Sequence, residues 1–386
     1  MFSTRTEWNL SPNRLTSLLR RLRSRGETVL DLTESNPTLC GLTPPAEFVE
    51  LAAALPYDPD PKGIISARQA ISDYYGEQRA GVDPESILLT GSTSEAYSFL
   101  FRLLCNPADH VLVPRPSYPL VDILAALNDV EVDKYDLNYD GEWHIDSASL
   151  EKAVNSRTRA IVLVHPSNPA GSFVKQEERK FLTRIAGRLG IPLIIDEVFH
   201  SYTVDPWRDA PGTFAGTSNI PQVVLNGLSK LAGLPQFKLA WMSISGPDLW
   251  CSAALDRLEM IADTFLSVPT ASQAALPGIL SNIRSFSNPI QSRIKDNYSF
   301  LRSVPMGNCA VLRCEGGWNA ILRVPTTRTD EEWSLALLEE YNVLVHPGYL
   351  FDMTNGSYLV LSLLPSSTVF ASAVQHIARF FTANPR

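Results

Sequence analysis

Short runs of consecutive apolar residues alternate with segments whose apolar positions recur every three or four residues. The runs 87–90, 110–113, 160–164, 192–195, 223–225 and 239–244 read as buried strands. The segments 94–104, 121–127, 177–189 and 247–266 read as helices, the third closed by Gly190. Strand and helix in alternation predict a mostly parallel sheet covered on both faces, a three-layer α/β/α architecture.

After about residue 275 the texture changes. A long helix over 283–301 leads into short strands at 310–312 and 319–324, a helix over 330–341, a strand over 358–363 and a final helix over 369–381. This is the pattern of a smaller α+β unit. Near the start, Leu15, Leu18, Leu19 and Leu22 recur at helical spacing among Arg20, Arg21, Arg23 and Arg25, and Ser11 with Pro12 offers an N-cap and first turn. Arg-rich amphipathic starts also occur in transit peptides. This one runs straight into Val29-Leu30-Asp31-Leu32, which favours an integral helix packed on the body. The expected division is a large domain over 43–275 and a small one built from 1–42 with 276–386. The Pro-rich stretches 43–45 and 56–61 read as loops.

Composition narrows the function. The 386 residues are 45% apolar, enough to fill a substantial core, and carry a net charge of −8, the wrong sign for a nucleic-acid surface. No apolar run approaches a membrane span. Five cysteines (40, 105, 251, 309 and 314) form an odd, scattered set without zinc-like pairing, so no metal is expected and a reducing, cytoplasmic setting suits them.

The candidate chemistry sits at the carboxyl ends of the strands, where open α/β sheets bind ligands. Lys230 follows the run 223–225; in a dry crevice its ammonium is disfavoured, leaving a nucleophilic amine able to form a Schiff base with an aldehyde. Asp196 ends the run 192–195; it reads as a turn or cap residue, or as a carboxylate that keeps a pyridine nitrogen protonated. Asn168-Pro169-Ala170-Gly171 follows the run 160–164; it is a turn, or an amide donor to a phenolate oxygen. Gly91-Ser92-Thr93-Ser94-Glu95 joins strand to helix, reading as an N-capping box and, compatibly, as backbone N–H groups open to a phosphate. Tyr118 is a core-edge tyrosine, or a platform for a flat ring.

This ordered set resembles the class I/II aminotransferases, fold-type I pyridoxal-phosphate-dependent enzymes. The likeness extends from Asp31-Leu32-Thr33-Glu34-Ser35-Asn36-Pro37 to His346-Pro347-Gly348. It implies pyridoxal 5'-phosphate as cofactor and amino-acid and 2-oxo-acid substrates. Lys230 would carry the Schiff base and move the substrate proton, Asp196 pair with the pyridinium, Asn168 bond the 3'-oxygen and Tyr118 stack on the ring. Ser92, Thr93, Ser94 and Lys238 would hold the phosphate, and Tyr57 would reach the phosphate of the other subunit in a homodimer. Asn36 would lie at the substrate.

Several positions depart from the family pattern. Lys238 stands where an arginine is usual, Gly227 for a phosphate-binding serine, and Phe199 for a tyrosine bonding the 3'-oxygen. Val360 replaces the arginine that grips the substrate carboxylate. Arg323, on a nearby strand, is a candidate to take over, and otherwise a solvated strand-edge arginine. These departures leave a lyase or decarboxylase acting at the α- or β-carbon as the alternative to transamination. A hydrolase built on Ser229-Lys230 is disfavoured, because adjacent residues on an extended segment project oppositely. A cofactor-bound regulatory domain would need an attached DNA-binding module, and none is evident in the sequence.

Overall fold

The computed structural model describes residues 11–37, 39–42, 59–205 and 212–383. Its centre is an eight-stranded sheet in the order Ile87–Thr90, Ala240–Ser245, Gln222–Gly227, Leu193–Asp196, Thr158–Val164, His110–Arg115, Glu131–Tyr139 and Trp143–Ile145. The four pairings between Gln222–Gly227 and Glu131–Tyr139 are parallel; Ala240–Ser245 runs antiparallel to both neighbours, and Trp143–Ile145 antiparallel to its one. Alternate residues of the central strands enter different cores. Ile161, Leu163, Leu193, Ile195 and Val224 pack on one face; Ala160, Val162, Ile194, Val223 and Leu225 pack on the other. A strand buried on both faces needs apolar residues at successive positions, which is why these strands read as continuous apolar runs.

The predicted elements recur with boundaries shifted by a residue or two, including the helices Thr93–Leu104, Gln176–Leu189, Asp248–Phe265 and Asp330–Tyr341. The strand Glu131–Tyr139 and the helices Ile65–Glu77, Ser147–Ala153 and Thr270–Ser281 were not anticipated. Glu131–Tyr139 lies near the sheet margin with only Tyr135 and Leu137 buried, so it lacks an apolar run. Thr270–Ser281 contains Pro277, ordinarily a helix-breaking signal.

A second sheet follows the order Ala310–Val311, Asn319–Val324, Ser357–Ser362, His346–Pro347, antiparallel throughout. The N-terminal segment joins this region: Leu30–Asp31 pairs in parallel with Val343–Leu344. The first helix is Arg14–Ser24, and its cap is Asn13, not Ser11; the Asn13 side chain accepts the Thr16 N–H at 2.7 Å. Asparagine caps as well as serine, and it stands immediately before the first helical residue. The buried face, Leu15, Leu18 and Leu22, packs on Leu338 and Leu344. The two core regions are continuous, since Ile321 and Val360 share a cluster with Leu163 and Ile195.

Leu22 tests the docking of this helix. Leu22→Ala removes a side chain that is 4% exposed and is expected to destabilise the fold by about 2–4 kcal/mol. The midpoint of urea denaturation should fall accordingly; an unchanged midpoint would show that the helix contributes no stability.

Candidate active site

Register places the ends of five strands along one edge of the large sheet. Thr90 pairs with Ala240 and Ala240 with Gly227; Asp196 lies between Val164 and Leu225. The segments that leave this edge carry Ser92, Asn168, Asp196 and Lys230, while Tyr118 follows the end of His110–Arg115.

Lys230 lies in the single turn Leu228–Leu231. The buried hydroxyl of Tyr202 donates to the carbonyls of Lys230 and Leu231, each at 2.9 Å, and Leu228 N–H binds Leu239 O at 3.0 Å. The backbone is thus held while the amine projects between aromatic rings, 5.1 Å from the Trp318 centroid and 5.8 Å from that of Phe199. Burial pushes the Lys230 pKa below the ordinary lysine value, with the Asp196 charge acting in the opposite sense.

Asp196 receives the Val198 N–H at Oδ1 (3.1 Å) and the Tyr97 hydroxyl at Oδ2 (3.3 Å). Burial nonetheless raises its pKa to about 6. Removal from water outweighs two neutral donors and the Lys230 charge, so the carboxylate is poised to welcome a cation at its open side.

At the start of the helix Thr93–Leu104, Ser92 Oγ accepts the Glu95 N–H at 3.1 Å. Glu95 reaches back to the Gly91 N–H at 2.7 Å and also accepts from Ser267. The capping arrangement therefore forms, and it occupies the Gly91 donor that the sequence had left open to an anion. Lys238 is exposed, in the left-handed region with φ 48°, two residues ahead of Ala240 on the strand beside Thr90. Gly227 has a packing reason: a Cβ there would lie 2.7 Å from Ala240 Cβ, so serine cannot enter without moving the neighbouring strand. Phe199 is buried against Trp318, with ring centroids 5.4 Å apart. Tyr118 is 51% exposed, its ring 6.3 Å from Phe351.

Asn168 begins a turn in which Ser167 N–H binds Ser172 O and Gly171 N–H binds Ser167 O. The turn is fastened to 314–319. Gly171 O accepts the N–H groups of Glu315 and Gly316, Glu315 takes the Phe173 N–H, and Lys175 pairs with Glu315 at 2.6 Å. A Cβ on Gly171 (φ 73°) would meet Cys314 Sγ at 2.6 Å. Asn319, within that fastened segment, donates to Asn168 Oδ1 at 2.8 Å.

The remaining described candidates lie in the second sheet and the N-terminal segment. Val360 is fully buried and pairs with Ile321 and His346. Arg323 is exposed and pairs with Tyr358, four residues and therefore roughly 13 Å of strand beyond Asn319. The structure places it as a solvated strand arginine. Asn36 is half-buried, its N–H bound to Glu34 Oε1 at 2.7 Å. Tyr57 lies outside the described residues. Tyr97, Tyr202, Trp318 and Asn319 were not anticipated; in sequence, Tyr97 is indistinguishable from the core residues of an amphipathic helix.

One cluster among the described residues, His165, Glu197 and His200, brings potential metal ligands within 4.8 Å of one another. Three of its ligand atoms already have protein partners. His165 Nδ1 accepts the Val174 N–H, which puts the ring proton on Nε2, and Glu197 accepts from the Thr213 hydroxyl and the Phe214 N–H.

The model of the family described as aminotransferase class I and II matches residues 57–368. The chain belongs to that family. It is an aminotransferase. Among relatives, it is 28% identical over 379 residues to the glutamate-pyruvate aminotransferase AlaA of Haemophilus influenzae, covering 94% of this chain and 93% of that one. It is 25% identical to mouse tyrosine aminotransferase, covering 93% and 85% respectively. The fold matches an alanine aminotransferase from Pyrococcus furiosus with a TM-score of 0.88 at 22% identity, over 99% of this chain and 100% of that one. This is the fold-type I architecture expected from the alternating pattern.

The raised Asp196 pKa has a sign that can be measured in this aminotransferase. Between about pH 4 and about 6 the folded state holds a proton that the unfolded chain releases, so this group's contribution to stability falls as pH rises. Asp196→Asn removes that dependence. The variant should therefore gain on the cofactor-free wild type across this window, by on the order of 2 kcal/mol. Parallel denaturation curves for the two proteins at both pH values would contradict the assignment.

Proposed function

We propose that this chain binds pyridoxal 5'-phosphate through Lys230 and moves an amino group between an amino acid and a 2-oxo acid. The observation that carries the reading is the amine of Lys230, with its lowered pKa, held between Trp318 and Phe199 and coupled to the buried carboxylate of Asp196. When bound, the cofactor supplies an electron sink for the substrate α-carbon.

The chain's own residues divide the remaining work. Lys230 Nζ, neutral in a larger fraction than an exposed lysine, would hold the cofactor by its aldehyde carbon and move the proton to and from the substrate α-carbon. Asp196 would hold the pyridinium nitrogen, whose charge would favour the ionised form that burial disfavours. Tyr97 holds one carboxylate oxygen and the Val198 N–H the other, which fixes the carboxylate's orientation. Ser92, Thr93 and Ser94 present the start of a 12-residue helix, and Lys238 a cation, to the phosphate. Asn168 would donate to the 3'-oxygen. Tyr118 gains a partner for its exposed ring face. Trp318 and Phe199 exclude water around the amine.

The division into domains over 43–275 and over 1–42 with 276–386, a homodimer completed through Tyr57, and a cytoplasmic location belong to the same proposal. The five cysteines, all unpaired, suit that location. Among the described residues no helix is long and apolar enough to cross a membrane. A lyase or decarboxylase has less support, because the relatives compared over nearly the whole chain are named aminotransferases. The donor is an amino acid whose carboxylate finds no arginine at position 360.

A panel of amino donors, scored by conversion of the bound cofactor to its pyridoxamine form, tests the reaction. Transamination predicts that form together with the matching 2-oxo acid; product formation with the aldehyde form always regenerated would indicate a lyase. Lys230→Ala should lower transfer by about 10²–10⁴-fold or more. Wild-type turnover in that variant would refute the role of Lys230. Phe199→Tyr adds a donor for the 3'-oxygen and should lower the pH at which the cofactor's visible band changes; an unchanged titration would place that ring away from the oxygen.

A further inference from the structure

The bond between Asn319 and Asn168 has a consequence for how the site is tuned. An amide held at one end has its other end aimed. With Oδ1 occupied by Asn319 Nδ2 at 2.8 Å, the Asn168 NH₂ group is turned away from Asn319. Asn319 directly follows Trp318, whose ring centroid lies 5.1 Å from the Lys230 amine.

The fastening is unusually complete on both sides. The Asn168 turn and the 314–319 segment share the two N–H bonds to Gly171 O and the buried Glu315 carboxylate, which binds both Phe173 N–H and Lys175. Asn319 is also the first residue of a strand, in register with Ser362. Neither amide is on a free loop.

We propose that Asn319 is a positioning residue. Resting on the cofactor reading above, it locks the orientation of the Asn168 amide so that Nδ2, rather than Oδ1, faces the phenolic oxygen of the cofactor. The phenolic oxygen carries most negative charge when the nitrogen joining Lys230 to the cofactor has lost its proton. A locked donor stabilises that form and lowers the pH of the transition; an amide free to turn would present its carbonyl oxygen part of the time and lose the effect. This donor matters more here because Phe199 supplies none. It is a role assigned to the small-sheet strand, reaching across to set the electronics of a group held by the large sheet.

The test is a spectrophotometric pH titration of the cofactor-loaded protein. Asn319→Leu removes the lock without adding charge and should raise the transition by about one pH unit, with Asn319→Gln, which keeps a donor, moving it less. A merely structural role is separated by a double-mutant cycle: once Asn168→Ala has removed the amide, Asn319→Leu should add no further shift. Thermal denaturation of each variant reports whether the fold persists. The inference is overturned if Asn168→Ala shifts the transition while Asn319→Leu does not, or if the Asn319→Leu shift survives in the Asn168→Ala background. A wild-type protein that develops no visible band with the cofactor would instead refute the cofactor reading, a distinct failure.

Discussion

An amine and a carboxylate withdrawn from water at one edge of a sheet are each pushed toward the neutral form, and each would be relieved by the other's charge. Lys230 and Asp196 stand in that relation. Burial dominates both, so in the free site the charged form of each group is disfavoured. The aromatic rings around the amine, the Tyr202 clamp beneath its backbone and the Tyr97 hydroxyl on the carboxylate all serve to keep the two groups dry and fixed. A flat, charged, aldehyde-bearing ligand would satisfy both at once, by taking up the amine and offering a cation to the acid.

The fold makes this possible by placing strand ends in line. The parallel strands carry Asn168 and Asp196 at the same edge, and the antiparallel strand Ala240–Ser245 packs so closely on Gly227 that the turn bearing Lys230 has no latitude. The second sheet is part of the same site. Its segment 314–319 is fastened to the Asn168 turn and supplies both Trp318 and Asn319. Substitutions far from the amine, at Gly171 or Glu315, would therefore disturb the site through this junction.

Much of this was legible in the chain because doubly buried strands and capped helices leave local signals. The runs ending at Asp196 and before Lys230, and the Ser92 cap, are properties of neighbouring residues. Glu131–Tyr139 was hidden because a strand at the sheet margin alternates with solvent and reads as polar. Asn13 displaced Ser11 as cap because two good capping residues stand two apart, and only the helix start decides between them. Trp318, Asn319 and Tyr97 were missed for a different reason. Their roles come from contacts over long sequence separations, 151 residues in the case of Asn319 with Asn168, and no local pattern encodes those. Val360 and Arg323 show the converse: the valine is fully buried between Ile321 and His346, and the arginine suggested as a substitute is exposed.

The central claim is that one lysine, held in a dry turn, forms the covalent link. Loading the protein with pyridoxal 5'-phosphate, reducing with borohydride, digesting and sequencing by mass spectrometry measures this directly. The account predicts the reduced cofactor's mass on the peptide containing Lys230, at close to one per chain. Modification spread over exposed lysines such as Lys180, or an unmodified Lys230 peptide, would contradict it.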